Sequence, residues 1–475
     1  MATICLPSLY MRLAAQLRRF RHDVGARHSL LLQGSIHPSP HAHSRASWIY
    51  TSHQPTIPAM EPEESSSGGA PATSTSWRDM ASQVFVTDPK VNGNCFADKP
   101  VKMKAPEEVA CFSWDENREL HLDDRSMCYY FNPSPRDAEK MTNLGDGFEN
   151  FRQFTAGDSE HLSALLAAII DKERRENAKF NVNFVSFRGM MTNLLTLPYA
   201  QRDEWYMNLT FFDGTVFIDE DKVSSSKWNP RQGNSSRLPE HHPFYGFKFE
   251  TLYTIPDIWD NVSRDEIESR NEKQVSNYAQ YCSIVKTSIG ETSMVIGGEV
   301  DCIWDSKLPG ATKHQYIELK TTEWIDPDLP RHVIEKKRHN YDFRKLKYWA
   351  QSYLIGNARI IVGKRWLRNN RLMMPLDVLH TLDIPKTVHS WDARVCKQTW
   401  AALLEWIYEK VKGSEGVWKL YKLRNEGQVR LVHVEPTGTG EILTAEFIAH
   451  RQSMNSATAG AQANGTDGEA MEGVE

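Results

Sequence analysis

The sequence predicts an α/β fold of the α+β kind, with mixed, largely antiparallel sheets flanked by helices. Three observations lead there. Segments that alternate or cluster apolar residues recur from 180 to 366: "FNVNFVSFRG" (180–189), "GTVFIDE" (214–220), "SMVIGGEVDCIWD" (293–305), "HQYIELKTT" (314–322) and "ARIIVGKRW" (358–366). Between and after them lie helical stripes. Two of the strands are joined by "SKLPGATK", a hairpin connection.

In chain order, residues 1–76 form an extension with nothing to build a core: "GSIHPSPHAHSRASW" and "EPEESSSGGAPATSTS" are rich in Pro, Ser, Gly and His. Within it "MRLAAQLRRFRHDV" reads as a short basic amphipathic helix. An Arg-rich, acid-poor start has the character of a mitochondrial transit peptide, while a translated upstream stretch with the true start at Met60 is the alternative. The single folded domain is expected over 77–452, with no internal linker. Its first helix is "SEHLSALLAAIIDKERRE" (159–176), where Leu162, Leu165, Leu166, Ile169 and Ile170 make one stripe and Ser159 lies in the cap region. Leu346, Trp349, Tyr353 and Leu354 space a second helix over 344–356, and "TWAALLEWIYEKVK" (399–412) a third. From 453 to 475 the Ala/Gly/Asn-rich composition predicts a disordered tail.

Composition narrows the function classes. Seven scattered cysteines without a CxxC pair argue against zinc and disulfides and fit a reducing compartment, so the sequons at Asn208 and Asn261 count as chance. No run of eighteen apolar residues exists, and no membrane association is expected. Residues 1–59 hold six Arg and one Asp, leaving the remainder at −10 of the total −5. An acidic body does not coat nucleic acid by global charge, so contact with a polyanion needs a local patch or a metal. Arg331–Lys347, with seven basic residues against Glu335 and Asp342, is the best local patch.

The chemistry is carried by "GGEVDCIWD" and "YIELKTT". Period-two alternation puts Glu299 and Asp301 on one face of a strand, and Glu318 and Lys320 on one face of the next. Like charges in apolar surroundings repel, and a shared cation relieves them. Carboxylate oxygens suit Mg²⁺ or Mn²⁺, and such an ion supplies water activation and charge neutralisation at a phosphodiester. An acidic pair followed by ExK on consecutive strands is the pattern of a PD-(D/E)xK nuclease core.

Three more segments accompany it. "YGFKFE" ends a Gly-x-x-x-Glu at Glu250, "NFVSFRG" offers Arg188 with Gly189, and "KLKYWAQSYL" offers Gln351. Over about 105–435 this ordered set resembles the DXO family of decapping nucleases, and within it the fungal branch that partners the nuclear 5′-exoribonuclease. The resemblance implies Glu250, Glu299, Asp301, Glu318 and the Leu319 carbonyl as metal ligands. It implies Lys320 and Gln351 at the scissile phosphate, with Glu299 positioning the water. Phe187, Arg188 and Gly189 would grip the RNA 5′ end. By looser matches, Arg118 ("ENRELHLDD"), Glu160 ("SEHLSALL") and Cys282 ("YCSIVKTSIG") would touch substrate. One departure stands in "IVGKRW", where Lys364 precedes Arg365 in place of an aromatic.

The implied activity removes pyrophosphate from 5′-triphosphate RNA, excises incomplete caps, and extends to NAD caps. A nuclear location is expected, with mitochondria or cytoplasm as alternatives. A DNA nuclease with the same type of site, and a non-catalytic stabiliser of the exoribonuclease, remain the rival readings.

Overall fold

The computed structural model describes residues 80, 82–87, 100–134, 138, 143–154, 161–224, 243–304, 306–307 and 314–466. The expected extension over 1–76 lies outside the described residues, as do Ser159, Glu160 and 467–475.

Sixteen strands form two sheets among the described residues. The first ten are β1 (Gln83–Val86), β2 (Glu107–Trp114), β3 (Leu120–His121), β4 (Tyr129–Tyr130), β5 (Phe184–Phe187), β6 (Trp205–Phe212), β7 (Thr215–Glu220), β8 (Thr254–Ile255), β9 (Gln280–Ile289) and β10 (Thr292–Glu299). They are followed by β11 (Cys302–Ile303), β12 (Tyr316–Glu323), β13 (Arg359–Trp366), β14 (Arg371–His380), β15 (Val417–Lys422) and β16 (Gln428–Glu435). One sheet runs β1-β16-β15-β6-β7-β5-β10-β9-β2-β3 and the other β14-β13-β12-β11-β4-β8. Most neighbours are antiparallel. In the large sheet only β5 runs parallel to both its neighbours, β7 and β10, and it is buried on both faces, as a strand under helical crossovers must be.

The helices are α1 (Ser163–Glu176), α2 (Arg188–Leu195), α3 (Phe244–Tyr253), α4 (Arg264–Glu268), α5 (Arg331–Ile355), α6 (Ala393–Val411) and α7 (Ala445–Thr466). Alternation along the strands sorts the core into layers. Val185 and Val295 join Leu165 and Ile169 of α1 and Phe447 of α7. Their neighbours Phe184 and Ile296 turn the other way, toward α2, α5 and α6, and meet Ile360 and Val362 of the second sheet there. The far face of that sheet, with Ile317, Leu319 and Ile361, is covered by Phe249 and Leu252 of α3. The order is therefore α1 with α7, large sheet, α2 with α5 and α6, small sheet, α3.

Two boundaries differ from the sequence reading. The strand expected over 293–305 breaks: β10 ends at Glu299 in the large sheet and β11 starts at Cys302 in the small one. At the crossing Val300 N–H donates to the Tyr281 carbonyl at 3.0 Å. Apolar periodicity runs straight through such a crossing, because both strands are buried and neither loses its pattern. The hairpin itself is present, with Cys302 opposite Ile317 and Ile303 opposite Tyr316. At the other boundary, α7 runs to Thr466, past residue 453. Alanine costs a helix less than any other residue, and this stretch is rich in it.

Candidate active site

The parallel pairing of β5 with β10 sets Phe187 opposite Gly297, so both strands end at one edge. Arg188 opens α2 there and Glu299 closes β10, where ligand crevices form at the ends of parallel strands. Asp301 lies in the crossing between the sheets, Glu318 and Lys320 on β12, and Glu250 on the buried turn of α3.

Glu318 is fully buried. Its Oε2 accepts from Arg188 Nη1 at 2.8 Å and Asn357 Nδ2 at 2.9 Å, and its Oε1 lies 2.6 Å from Lys320 Nζ. Burial pushes the pKa of this carboxyl up, but the charges of Arg188 and Lys320 outweigh burial and hold it at about 2. Lys320 stays charged, since Glu318 and Asp301 together overcome its burial. The other acids have the opposite problem. Burial first, then the charge of Glu318, raises Asp301 to about 7, although its Oδ2 accepts the Leu319 N–H at 2.6 Å. Burial, then Asp301 and Glu299, pushes Glu250 well above the usual carboxylate range. Glu250, Glu299 and Asp301 line one cavity of about 130 Å³ with Thr251, Lys273 and Gln280.

A second hollow of about 300 Å³ adjoins it and shares Glu299 and Gln280. Arg118, Phe187, Arg188, Gly189, Cys282 and Gln351 line it, so the structure gathers these sequence-derived residues into one place. Arg118 has a φ of 64°, and its guanidinium lies between the rings of Trp114 at 4.7 Å and Phe154 at 4.2 Å. Its Nη1 donates to Gln280 Oε1 at 2.6 Å and the Tyr278 carbonyl at 3.0 Å. This fixes the Gln280 amide so that Nε2 donates to Glu299 Oε1 at 3.0 Å. Cys282 faces Glu299 across the ladder, and burial with that negative charge keeps its thiol protonated. It is a wall of the hollow and not a nucleophile. Arg188, which the resemblance sets at the RNA 5′ end, also commits Nη1 to Glu318.

Gly298 holds this packing together. A Cβ there would stand 2.9 Å from Ile355 Cγ2 and 3.1 Å from Arg188 Cβ. Gly298→Ala is therefore expected to cost about 1–3 kcal/mol and to displace Arg188 from Glu318. Denaturant unfolding checks the first effect; unchanged stability would mean the neighbours yield freely.

The donor set fits a hard divalent cation: four carboxylates and the neighbouring Leu319 carbonyl offer only oxygen. Among the described residues, however, only Asp115, Glu119 and His121 bring three ligand-type atoms within 4.8 Å of one another. The site carboxylates stand wider because Glu318 is drawn to Arg188 and Lys320, and Asp301 to a backbone N–H. Sharing one ion requires these side chains to turn inward from those partners.

The basic run on α5 is largely internally compensated. Arg331 pairs with Glu335, Lys337 with Glu323, Lys345 with Asp342 and Lys347 with Asp203, while Lys336 and Arg338 stand exposed. Lys364 pairs with Asp377 at 2.6 Å, and Arg365 lies 3.8 Å over the Tyr245 ring. The sequence reading omits Gln280 and Asn357. Period two from Cys282 places Gln280 on the same face of β9, a usable signal. Asn357 follows the helix-ending Gly356 and carries no local signal for its bond to Glu318.

A cluster of buried acids with a paired lysine, beside a cationic hollow on a mixed α/β scaffold, defines a hydrolase of the nuclease class. The chain belongs to the RAI1-like PD-(D/E)XK nuclease family, whose model matches residues 104–448. It is 35% identical over 364 residues to the decapping nuclease RAI1 of Neurospora crassa, covering 75% of this chain and 85% of the relative. A crystal structure of Candida albicans Rai1 in complex with pU5 and Mn²⁺ matches with a TM-score of 0.67 and 28% identity, covering 75% of this chain and 97% of the other. Scheffersomyces stipitis Rai1 in complex with (3′-NADP)⁺ and a calcium ion matches at 0.66 and 28%, over 74% of this chain and 98% of the other.

Proposed function

We propose that this chain hydrolyses phosphate linkages at the 5′ end of RNA, removing pyrophosphate from 5′-triphosphate ends, incomplete caps and NAD caps, with Mg²⁺ or Mn²⁺. The observation that carries the reading is the pair of adjoining hollows. One is lined by Glu250, Glu299 and Asp301, the other by Arg118, Arg188 and Gln351, and Glu299 and Gln280 belong to both. A terminal nucleotide in the larger hollow brings its first phosphates to the acidic one. The relatives' complexes with pU5 and with a nicotinamide dinucleotide support an RNA end and an NAD-type end as substrates.

A divalent ion bound by these acids supplies water activation and charge neutralisation. The residues do the rest. Gln280 holds one oxygen of Glu299 and leaves the carboxylate oriented toward the attacking water. Lys320, kept protonated, balances charge growing on the phosphate oxygens. Gln351 and Arg188 fix the phosphates, and the Phe187 ring stands beside the terminal nucleoside. We place the protein in the nucleus, handing 5′-monophosphate RNA to a 5′-3′ exoribonuclease; the family resemblance supports this.

The test is incubation with triphosphate, unmethylated-cap, mature-cap and NAD-ended RNAs and a DNA control. Release from the first, second and fourth is expected with Mn²⁺ or Mg²⁺ and is lost with a chelator. If every RNA end stays intact with manganese while an exoribonuclease still co-purifies, the chain is a stabiliser and the catalytic reading fails.

A further inference from the structure

The RNA-end hollow holds a carboxylate–imidazole pair that the hydrolysis described above does not use. His161, just before α1, lines the hollow together with Ala164 of that helix and Phe187. Its Nδ1 lies 2.5 Å from Asp219 Oδ2, 58 residues on in β7. The Asp219 side chain is 7% exposed and that of His161 22%, so the carboxylate is shut away behind an imidazole that stays open to the hollow. Among the described residues no hydrogen bond engages His161 Nε2.

The sheet fixes where this pair stands. β7, β5 and β10 run parallel and finish at one edge. Ser186 pairs with Ile218 and Phe187 with Gly297, so Asp219, one step past Ile218, ends level with Phe187 and Gly297. Period two puts Asp219 on the α1 side with Phe217, whose ring belongs to the cluster around Leu165. Two ladder spacings separate β7 from β10, about 10 Å. Glu299 lies two residues further along β10. The hollow therefore has an acidic end at Glu299 and an imidazole end at His161, with the Phe187 strand between them. A nucleotide with its phosphates at the acidic end sets its sugar beside Phe187 and the edge of its base farthest out, toward His161.

The pairing sets what the imidazole can do. A carboxylate takes the Nδ1 proton in hydrogen bonding, and a neutral ring then offers Nε2 as an acceptor. The arginines of the hollow can only donate, and the Gln280 amide is engaged at both ends, by Arg118 and by Glu299. An acceptor held still at the outer end suits an N–H on the edge of a base, the exocyclic amine of adenine or cytosine or the ring N–H of guanine or uracil. We propose that His161, positioned by Asp219, accepts a hydrogen bond from such an N–H on the base of the nucleotide in this hollow. His161 touches the substrate, and Asp219 acts through it by fixing the tautomer. This base contact rests on the RNA-end reading, and the test below separates the two.

The probes are two RNA pentanucleotides with a 5′-monophosphate, the end that the proposed hydrolysis leaves. They are identical except that the first base is adenine in one and purine, which lacks the 6-amino group, in the other. Their affinities for the full chain are measured by calorimetry with Ca²⁺ at about pH 8. Wild type is expected to bind the adenine form at least about fivefold more tightly. In His161→Phe, which keeps a ring and loses the acceptor, that preference should vanish. In Asp219→Asn the amide donates to Nδ1, the ring proton moves to Nε2, and the preference should vanish as well. A pair that only pins the start of α1 would change both affinities together and leave the preference intact, and that result overturns the assignment. Equal binding of the two forms by wild type overturns the base contact while the RNA-end reading stands. Binding of neither form overturns both. A preference lost in His161→Phe but kept in Asp219→Asn overturns the positioning role of Asp219. If His161→Phe does not fold, Asp219→Asn alone decides.

Discussion

Glu318→Gln is expected to lower hydrolysis of 5′-triphosphate RNA about a thousandfold and, at the same time, to weaken the fold. The second effect is unusual for an active-site acid and follows from its partners. Glu318 is the one site carboxylate that answers both Arg188 and Lys320 from a fully buried position. Neutralising it leaves two partly buried cations facing each other without their shared anion, a loss of about 1–3 kcal/mol once solvent screening at Lys320 is counted. Glu250→Gln should abolish turnover equally but raise the melting temperature in chelator, because Glu250 is buried and then crowded by Asp301 and Glu299, and gains nothing from its charge there. Thermal unfolding of both variants in chelator checks the contrast. Equal melting temperatures would show that the acids are interchangeable in the ion-free fold and that the assigned ion pairs do not hold.

The stability of the ion-free protein should fall as pH rises from about 4 to about 7. Asp301, raised to about 7, keeps its proton in the folded protein while the unfolded chain has already released it. Folding then binds a proton that becomes scarcer with each unit of pH. The stability is therefore full below the unfolded pKa and is lost up to the folded one. Glu250 shifts in the same direction and adds to the slope. Glu318 has the opposite sign: its contribution is present above its unfolded value and is lost only as pH falls toward about 2, outside this window. With Asp301 raised from 3.8 to about 7, and about 1.4 kcal/mol for each pH unit between, its share alone makes the loss on the order of 4 kcal/mol. Because Mn²⁺ competes with those protons, the melting-temperature gain on adding it should be larger at about pH 8 than at about pH 5.5. A gain that is flat or reversed with pH would exclude Glu250 and Asp301 as ligands.

Much of this site is legible in the sequence. Glu318 and Lys320 share a face because β12 keeps strict period two through them. Arg188 was found at a strand end because β5 is a short apolar run stopped by Arg-Gly. Glu299 and Asp301 do line one cavity, but not as positions i and i+2 of a single strand. They are neighbours through a crossing between sheets, which periodicity cannot register. Asn357 escaped because a hydrogen bond across 39 residues leaves no mark in local spacing, whereas Gln280 shares a strand face with Cys282 by period two and could have been found. The pairing of Arg188 with Glu318 is invisible in the sequence for the same reason as that of Asn357, since the two lie 130 residues apart.

The crossing at Val300 and Asp301 makes the proposed catalytic centre a seam. Glu299 belongs to one sheet, Glu318 to the other, and Asp301 is the stitch between them, with Glu250 brought in from the helix beneath the smaller sheet. A cation seated among these groups would work as a rivet as well as a reagent, fastening two slabs that otherwise meet through side chains and intervening helices. Loading and emptying the centre should therefore be felt as stiffening and loosening across the whole body of the enzyme, far from any RNA.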